Sequence, residues 1–360
     1  SGASLCPHGK TTLAPQLFHR QRQDGAWGLT LATPTQAQMA FHYGIPRVLL
    51  ANEVVDGAAL RGLSRTVDAD SRRDLWVFAD GLEAVNALAT HWCAEKSLNV
   101  LVETGIAGGR CGARSSEEAM EVARAVKGSP NLLLSGVACY EGIVISQEPE
   151  RDRAQVSVWL EALVALAQQA DGERLFEGTE IVLSAGGSAY FDLVARHLKA
   201  AKLSLPARVV LRSGCYLTHD SGHYQRLIAL MEARLDAAWK PTGHLSPALE
   251  VWAQVLSRPE PTLAFLDAGK RDLPMDLGLP KPGRWLRQGQ TQPEPCPDTW
   301  RLTGLHDQHA RLELPADAPL KIGDRVGLAV SHPCTTFDKW NVVFEVDERG
   351  TVLGAVKICA

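Results

Sequence analysis

Residues 5–12 read Leu-Cys-Pro-His-Gly-Lys-Thr-Thr, which sets Lys10 at the end of a short apolar run, beside His8 and ahead of a helix start. Far downstream, Ser331-His332-Pro333-Cys334 places an imidazole and a thiol two positions apart. A deprotonated lysine amine condenses with an aldehyde, and burial or a neighbouring cation such as Arg110 lowers its pKa toward that state. Sulfur with imidazole favours zinc over magnesium or calcium. Read as an extended segment, 331–338 projects positions i and i+2 to one face, so His332 and Cys334 can reach a single ion. Two protein ligands are too few for a closed structural site but suit an open one completed by water or substrate. The combination points to Schiff-base chemistry assisted by a metal. Each signal alone has a plainer reading: a strand-end lysine is usually a solvated charge, and H-x-C is usually a buried cysteine beside a surface histidine.

Glycine-rich segments supply a third ingredient. Thr104-Gly105-Ile106-Ala107-Gly108-Gly109-Arg110, Ser184-Ala185-Gly186-Gly187-Ser188 and Arg212-Ser213-Gly214-Cys215-Tyr216 each follow a strand candidate. Glycine lets backbone N–H groups approach a phosphate closely, and a helix start adds positive potential. In a barrel that cradle is commonly formed after the seventh and eighth strands, which is where the last two segments fall. A lysine on the first strand and a phosphate cradle on the last suit an aldehyde cofactor carrying a phosphate, and pyridoxal phosphate answers that description.

The elements that must hold these groups follow from the alternation of patterns. Strand candidates recur at Ala3–Pro7, Gly28–Ala32, Arg47–Ala51, Leu75–Ala79, Asn99–Glu103, Leu132–Val137, Glu180–Ser184 and Ala207–Leu211. Helical patterns at Pro34–Tyr43, Leu82–Ala94, Ser116–Val126, Arg151–Ala170 and Tyr190–Ala200 separate them, with Ser116 expected as a cap before Glu117 and Glu118. About eight strands with helices between spell an α/β fold, a (β/α)₈ barrel over residues 1–222. A helical stretch, Gln225–Ala238, and Trp239-Lys240 then form a connection over 223–244. Short β-rich runs at Ala248–Leu256, Thr262–Asp267, Arg325–Val330, Trp340–Val346 and Thr351–Ile358 indicate a second, mainly β domain over 245–360 that would carry the metal pair.

Bulk properties exclude several functions. With a net charge of -4 and scattered arginines, nucleic acid is a poor partner. No stretch approaches the roughly 20 apolar residues of a membrane helix. The 8 cysteines are irregularly spaced without C-x-x-C, so a reducing compartment, the cytoplasm, is the expected location.

Together these landmarks resemble the fold-type III pyridoxal phosphate enzymes, in particular the D-serine dehydratase and D-threonine aldolase group, whose architecture is that of alanine racemase. The motifs run nearly the whole length: Pro7-His8-Gly9-Lys10-Thr11, Trp27-Gly28-Leu29-Thr30-Leu31-Ala32-Thr33, Glu103-Thr104-Gly105 with Arg110-Cys111-Gly112, Tyr140-Glu141-Gly142, Arg212-Ser213-Gly214-Cys215-Tyr216, Asp267-Ala268-Gly269, Asp307-Gln308-His309 and His332-Pro333-Cys334. The resemblance implies Lys10 as the cofactor lysine, with Ser184, Gly186, Gly187, Gly214, Cys215 and Tyr216 in the cradle. It sets Arg110 and Tyr140 near the ring and Arg212 at the pyridine nitrogen. It makes His332 and Cys334 the ligands of a divalent metal, expected to be zinc, and implies a head-to-tail homodimer. Relatives carry a further strand and helix ahead of the lysine, so the chain reads as an amino-terminally trimmed form.

The implied activity is dehydration of a D-β-hydroxy amino acid such as D-serine to a 2-oxo acid and ammonia. Lys10 would remove the α-proton while the metal draws on the β-hydroxyl. A D-threonine aldolase cleaving to glycine and an aldehyde is the nearest alternative, and a non-catalytic pyridoxal phosphate carrier is one of another class. His309 is expected either to orient the substrate carboxylate or to be structural; Asp220 and Asp276 are expected as turn or cap residues.

Overall fold

The computed structural model describes residues 2–146, 148–187, 189–235 and 243–360. Ser188, the end of the expected Gln225–Ala238 helix, and Trp239-Lys240 lie outside the described residues. The chain divides into two compact units. The first comprises chiefly Phe18–Gly214 together with the segment ending at Lys10; the second takes Thr11–Leu17, Cys215–Arg234 and residues 243–360. Along the chain the first unit gives way to the second after Gly214. The expected linker helix is α8 (His223–Arg234), which belongs to the second unit.

In the first unit eight parallel strands run β1 (Ser4–Leu5), β2 (Leu29–Leu31), β3 (Arg47–Glu53), β4 (Asp74–Ala79), β5 (Leu98–Thr104), β6 (Leu132–Cys139), β7 (Ile181–Ala185) and β8 (Ala207–Leu211). The ladder runs from β2 in sequence order to β8 and on to β1. Closure of β1 on β2 comes from Trp27 N–H donating to the Leu5 carbonyl at 2.7 Å, Thr30 N–H to that of Pro7 at 2.9 Å, and a parallel bridge between His8 and Thr30. The result is the expected barrel. Its interior is filled by Cys6, Trp27, Leu49, Trp76, Phe78, Leu101, Ala138, Val182 and Val210, with the two tryptophan rings 4.9 Å apart. Because inward residues alternate along each strand, these apolar positions leave the carboxyl-terminal strand ends to carry polar groups.

The crossovers are α2 (Pro34–His42), α3 (Gly57–Asp68), α4 (Leu82–His91), α5 (Ser116–Lys127), α6 (Pro149–Gly172) and α7 (Phe191–Lys199), preceded by α1 (Pro15–Gln23). Helix α5 is capped by Ser115, whose hydroxyl accepts from Glu118 N–H at 3.1 Å, one residue before the expected cap. Helix α3 goes beyond the sequence expectation. Its signals are the Asp56 carboxylate that accepts from Ala59 N–H and the buried face of Leu60, Leu63, Ser64 and Val67.

The second unit centres on a seven-stranded sheet built from β9 (Glu250–Glu260), β10 (Leu263–Leu266), β11 (Lys281–Leu286), β12 (Glu294–Pro295), β13 (Arg301–Leu305), β14 (Ala310–Glu313) and β15 (Arg325–Ala329), in the order 12-11-15-9-10-14-13. All its pairings are antiparallel. A core that includes Val251, Val255, Leu266, Trp285, Trp300 and Leu312 stabilises it. The hairpin of β16 (Val342–Val346) and β17 (Val352–Lys357) is a separate two-stranded sheet. Between β15 and β16 lies the short helix α9 (Pro333–Phe337), so 331–338 is not the extended segment expected from its sequence. Proline at the first helical position favours that start.

Gly136, in β6, stands where a Cβ would collide with the backbone carbonyl of Val182 on β7. Gly136→Ala should therefore break the β6–β7 ladder and cost about 3 kcal/mol or more, read as a lowered urea midpoint against wild type.

Candidate active site

At the carboxyl ends of the first unit's strands, Arg212 is the organising charge. It is 4% exposed. Its Nη1 donates to Ser184 Oγ at 2.6 Å and its Nη2 to the Cys139 carbonyl at 2.7 Å, while Ser184 Oγ donates to the Val210 carbonyl at 3.0 Å. Burial pulls the guanidinium pKa down, and the nearby Glu141 carboxylate opposes that pull. Two residues expected from sequence, Ser184 and Arg212, are thus one hydrogen-bonded unit.

Glu141 is fully buried. Its Oε2 accepts from Gly186 N–H at 2.9 Å and its Oε1 from Gly187 N–H at 2.5 Å. Burial raises its pKa, against these backbone donors and Arg212. Sequence reading placed Glu141 in a motif without giving it a task; the task is to hold the 186–187 loop. Gly187 sits at φ +72°, and a Cβ on Gly186 would collide with the Tyr140 ring, so neither position tolerates a side chain. The Arg110 guanidinium carbon lies 4.4 Å from the Tyr140 ring centroid.

Lys10 lies in a 3₁₀ turn, Gly9–Thr11, that follows β1. Its side chain is exposed, and among the described residues it has no hydrogen bond or ion pair. A Cβ on Gly9 would press on the Leu29 and Phe18 side chains at 3.0 Å, tighter than an ordinary contact. His8 is held neutral: burial, with Lys10, Arg212 and Arg110 adding to it, drops its pKa well below the usual imidazole value. Its Nδ1 is enclosed without a partner.

The second unit holds the expected metal pair. His332 is the extended cap residue of α9 and Cys334 lies inside the helix. His332 Nδ1 meets Asp276 Oδ2 at 2.6 Å, and Asp276 Oδ1 accepts from Thr335 Oγ1 at 3.0 Å. Asp276 lies in a turn, as expected, and its carboxylate also orients the His332 imidazole through Nδ1. Cys334 Sγ lies 3.8 Å from Cys215 Sγ and 3.4 Å from Thr11 Oγ1. The Cys215 hydrogen bond, working against burial and joined by His332 and Thr11, draws the Cys334 thiol down to about 4. Burial pulls His332 down, but hydrogen bonds to Cys334 and Asp276 outweigh it and lift the imidazole to about 9. The pair is therefore thiolate beside imidazolium, a donor set that fits a zinc-class ion once the imidazolium proton leaves.

Asp220 is a cap residue as expected, accepting from Gly222 N–H at 2.8 Å and Tyr224 N–H at 3.0 Å. His309 is exposed in the turn between β13 and β14. Of the expected cradle, Gly186, Gly187 and Gly214 belong to the first unit, Cys215 and Tyr216 to the second.

An eight-stranded parallel barrel with a lysine just past its first strand, joined in sequence to an antiparallel β unit, defines the alanine racemase-like fold class. A family model described as "Alanine racemase, N-terminal domain" matches residues 5–194, more than half the chain. The protein belongs to that family, the fold-type III pyridoxal phosphate proteins. A second model, described as "Putative serine dehydratase domain", matches residues 248–346. The chain is 27% identical over 346 residues to a 3-hydroxy-D-aspartate aldolase of Paracoccus denitrificans (strain Pd 1222), covering 93% of this chain and 80% of that one. Among solved structures it is similar to D-threonine aldolase from Filomicrobium marinum, with TM-score 0.79 and 24% identity over 99% of this chain and 88% of that one. It is also similar to D-threo-3-hydroxyaspartate dehydratase from Delftia sp. HT23, with TM-score 0.71 and 20% identity over 99% and 90%.

The family implies pyridoxal phosphate, and the barrel's residues fit it. An exposed amine, an enclosed imidazole nitrogen without a partner and a rigid buried guanidinium occur together on the strand ends, beside glycines that admit no side chain. The Gly186 and Gly187 N–H groups are already taken by Glu141, so a phosphate would draw on other donors, Gly214 N–H among them.

Because an ion must replace the His332 proton, apparent zinc affinity should rise about tenfold per pH unit toward pH 9 and level off above it. Cys334 contributes no slope there, having lost its proton above about 4. Asp276→Asn should weaken binding by about 10–100-fold. Calorimetric zinc titration across pH checks both, and an affinity indifferent to pH would remove His332 from the ligand set.

Proposed function

We propose that the protein is a pyridoxal phosphate- and metal-dependent lyase of D-β-hydroxy amino acids that eliminates water to give a 2-oxo acid and ammonia. The observation that carries the reading is the Cys334 thiolate beside a His332 imidazole oriented by Asp276, in a chain whose barrel presents Lys10. Support for dehydration comes from the serine dehydratase domain model, whose match includes both expected ligands.

Bound pyridoxal phosphate supplies an electron sink that acidifies the substrate's α-carbon. Lys10 would hold the cofactor's aldehyde carbon and, when released, move the α-proton with its amine. Arg212, a cation anchored to Ser184 and Cys139, would face the pyridine nitrogen and disfavour its protonation. His332 and Cys334 would hold a divalent ion, for which zinc is the proposed identity, against the β-hydroxyl as a Lewis acid. Neutral His8 would accept or donate one hydrogen bond through Nδ1 without adding charge. The reading includes a head-to-tail homodimer in a reducing cytoplasm; no described helix is long and apolar enough to cross a membrane.

A second reading is favoured by the aldolases among the relatives. The same metal pair would then bind the β-oxygen while its proton leaves and the Cα–Cβ bond breaks, yielding glycine and an aldehyde. Ammonia release from D-β-hydroxy amino acids supports dehydration, and glycine release in its place supports the aldolase.

Lys10→Ala should remove the cofactor's visible absorbance and lower turnover by about 10²–10⁴-fold or more; a coloured, active variant would end the proposal. Chelation should spare that absorbance yet slow turnover by about a hundredfold or more, the effect of losing a Lewis acid. Rates unchanged in chelator would remove the metal from the reaction.

A further inference from the structure

We propose that Cys215 and Cys334 form a reversible disulfide, a modification site through which a peroxide switches the second unit between holding an ion at His332 and releasing it. Both cysteines belong to that unit, Cys215 opening the 3₁₀ turn Cys215–Leu217 and Cys334 lying in the first turn of α9. Their sulfurs are 3.8 Å apart, in van der Waals contact, although 119 positions separate them along the chain. Both are reduced and partly exposed, so a small oxidant reaches them. The coupling to an ion rests on the metal reading above; the disulfide does not.

The contact is built on fixed backbone rather than on two mobile side chains. Pro333 restricts the chain entering α9. The Thr336 hydroxyl then donates to the His332 carbonyl at 2.7 Å, and Thr336 N–H donates to the same carbonyl at 3.2 Å. On the other side, the Cys215 carbonyl accepts from His219 N–H at 2.8 Å. A disulfide bond is about 2.05 Å long, so the sulfurs must close by roughly 1.8 Å, within the swing of two side chains about their Cα–Cβ bonds. An oxidised Cys334 therefore meets an internal thiol at high effective concentration before it meets one from another molecule. Cys6 and Cys139 are sealed inside the first unit, while Cys93 and Cys111 are exposed and supply internal controls.

With hydrogen peroxide as the oxidant, the chemistry balances in two steps. The Cys334 sulfur attacks one peroxide oxygen and the O–O bond breaks. An S–OH group forms, and the departing hydroxide leaves as water with the proton of the Cys334–His332 pair. The Cys215 sulfur then attacks the Cys334 sulfur, so that the S–S bond forms as the S–O bond breaks. Hydroxide leaves as a second water with the Cys215 proton. Together the sulfurs lose two electrons and the peroxide gains them; a dithiol reverses the change by exchange. A disulfide sulfur offers no thiolate, so Cys334 is lost as a ligand while the bond lasts. In a reducing compartment such a bond is transient, which suits sensing rather than structure.

Full-length, cofactor-loaded protein stripped of metal with chelator, treated with hydrogen peroxide at high dilution and then alkylated with N-ethylmaleimide, should give a peptide map that joins Cys215 to Cys334 within one chain. Dithiothreitol should return both thiols. Cys215→Ser should leave Cys334 as a sulfenic acid that dimedone labels, and Cys334→Ser should lose the link. Oxidised wild type should lose calorimetric zinc binding and regain it on reduction, and zinc chloride added before peroxide should slow formation of the link. Peroxide that oxidises Cys93 and Cys111 yet leaves Cys215 and Cys334 unlinked would overturn the disulfide. A link that forms while zinc still binds as tightly as before would overturn the switch. Reduced protein that binds no zinc would remove the metal reading and with it the switch, while the disulfide, mapped without zinc, is decided separately.

Discussion

A positive charge taken out of water must be compensated where it lies, and Arg212 makes that demand at the heart of the barrel's working end. A buried guanidinium left alone would cost several kcal/mol. Here Ser184 from β7 and the Cys139 carbonyl from β6 accept its protons, and the Glu141 carboxylate lies close enough to offset its charge. Glu141 is in turn held by the Gly186 and Gly187 amides. Strand ends β6, β7 and β8 are therefore fixed by one charge and its partners. That rigidity presets the position of the group proposed to face the cofactor ring.

The second unit solves a different electrostatic problem with the same economy of parts. A thiolate and an imidazolium stabilise each other, and Asp276 decides which imidazole nitrogen remains for an ion. Helix α9 places them: His332 is still extended at its cap while Cys334 has entered the first turn. A proton and the proposed metal would compete for the same imidazole nitrogen, which would couple occupancy to pH.

The elements were largely legible in the sequence because burial on both faces writes parallel strands as short apolar runs, such as Leu132–Cys139 and Ile181–Ala185. Helix α3 was less so, since Ser64 interrupts its apolar face. His332 stays extended as the cap of α9, which keeps its ring beside Cys334 although the residues after it are helical. Asp276 could not be linked to them, because a separation of 56 positions along the chain carries no signal of that hydrogen bond. The role of Glu141 was hidden for the same reason: it depends on neighbours contributed by another strand.

The sequence by itself determined the barrel, the β-rich second unit and the chemically capable side chains, because periodicity and residue type are local properties. Only the tertiary structure decided their charge states and partners: a neutral His8, an ionised Cys334, and a glutamate rather than open space against the glycine amides. The physical reason is that pKa and hydrogen-bond satisfaction depend on distance and desolvation in space, and neither follows from order along the chain.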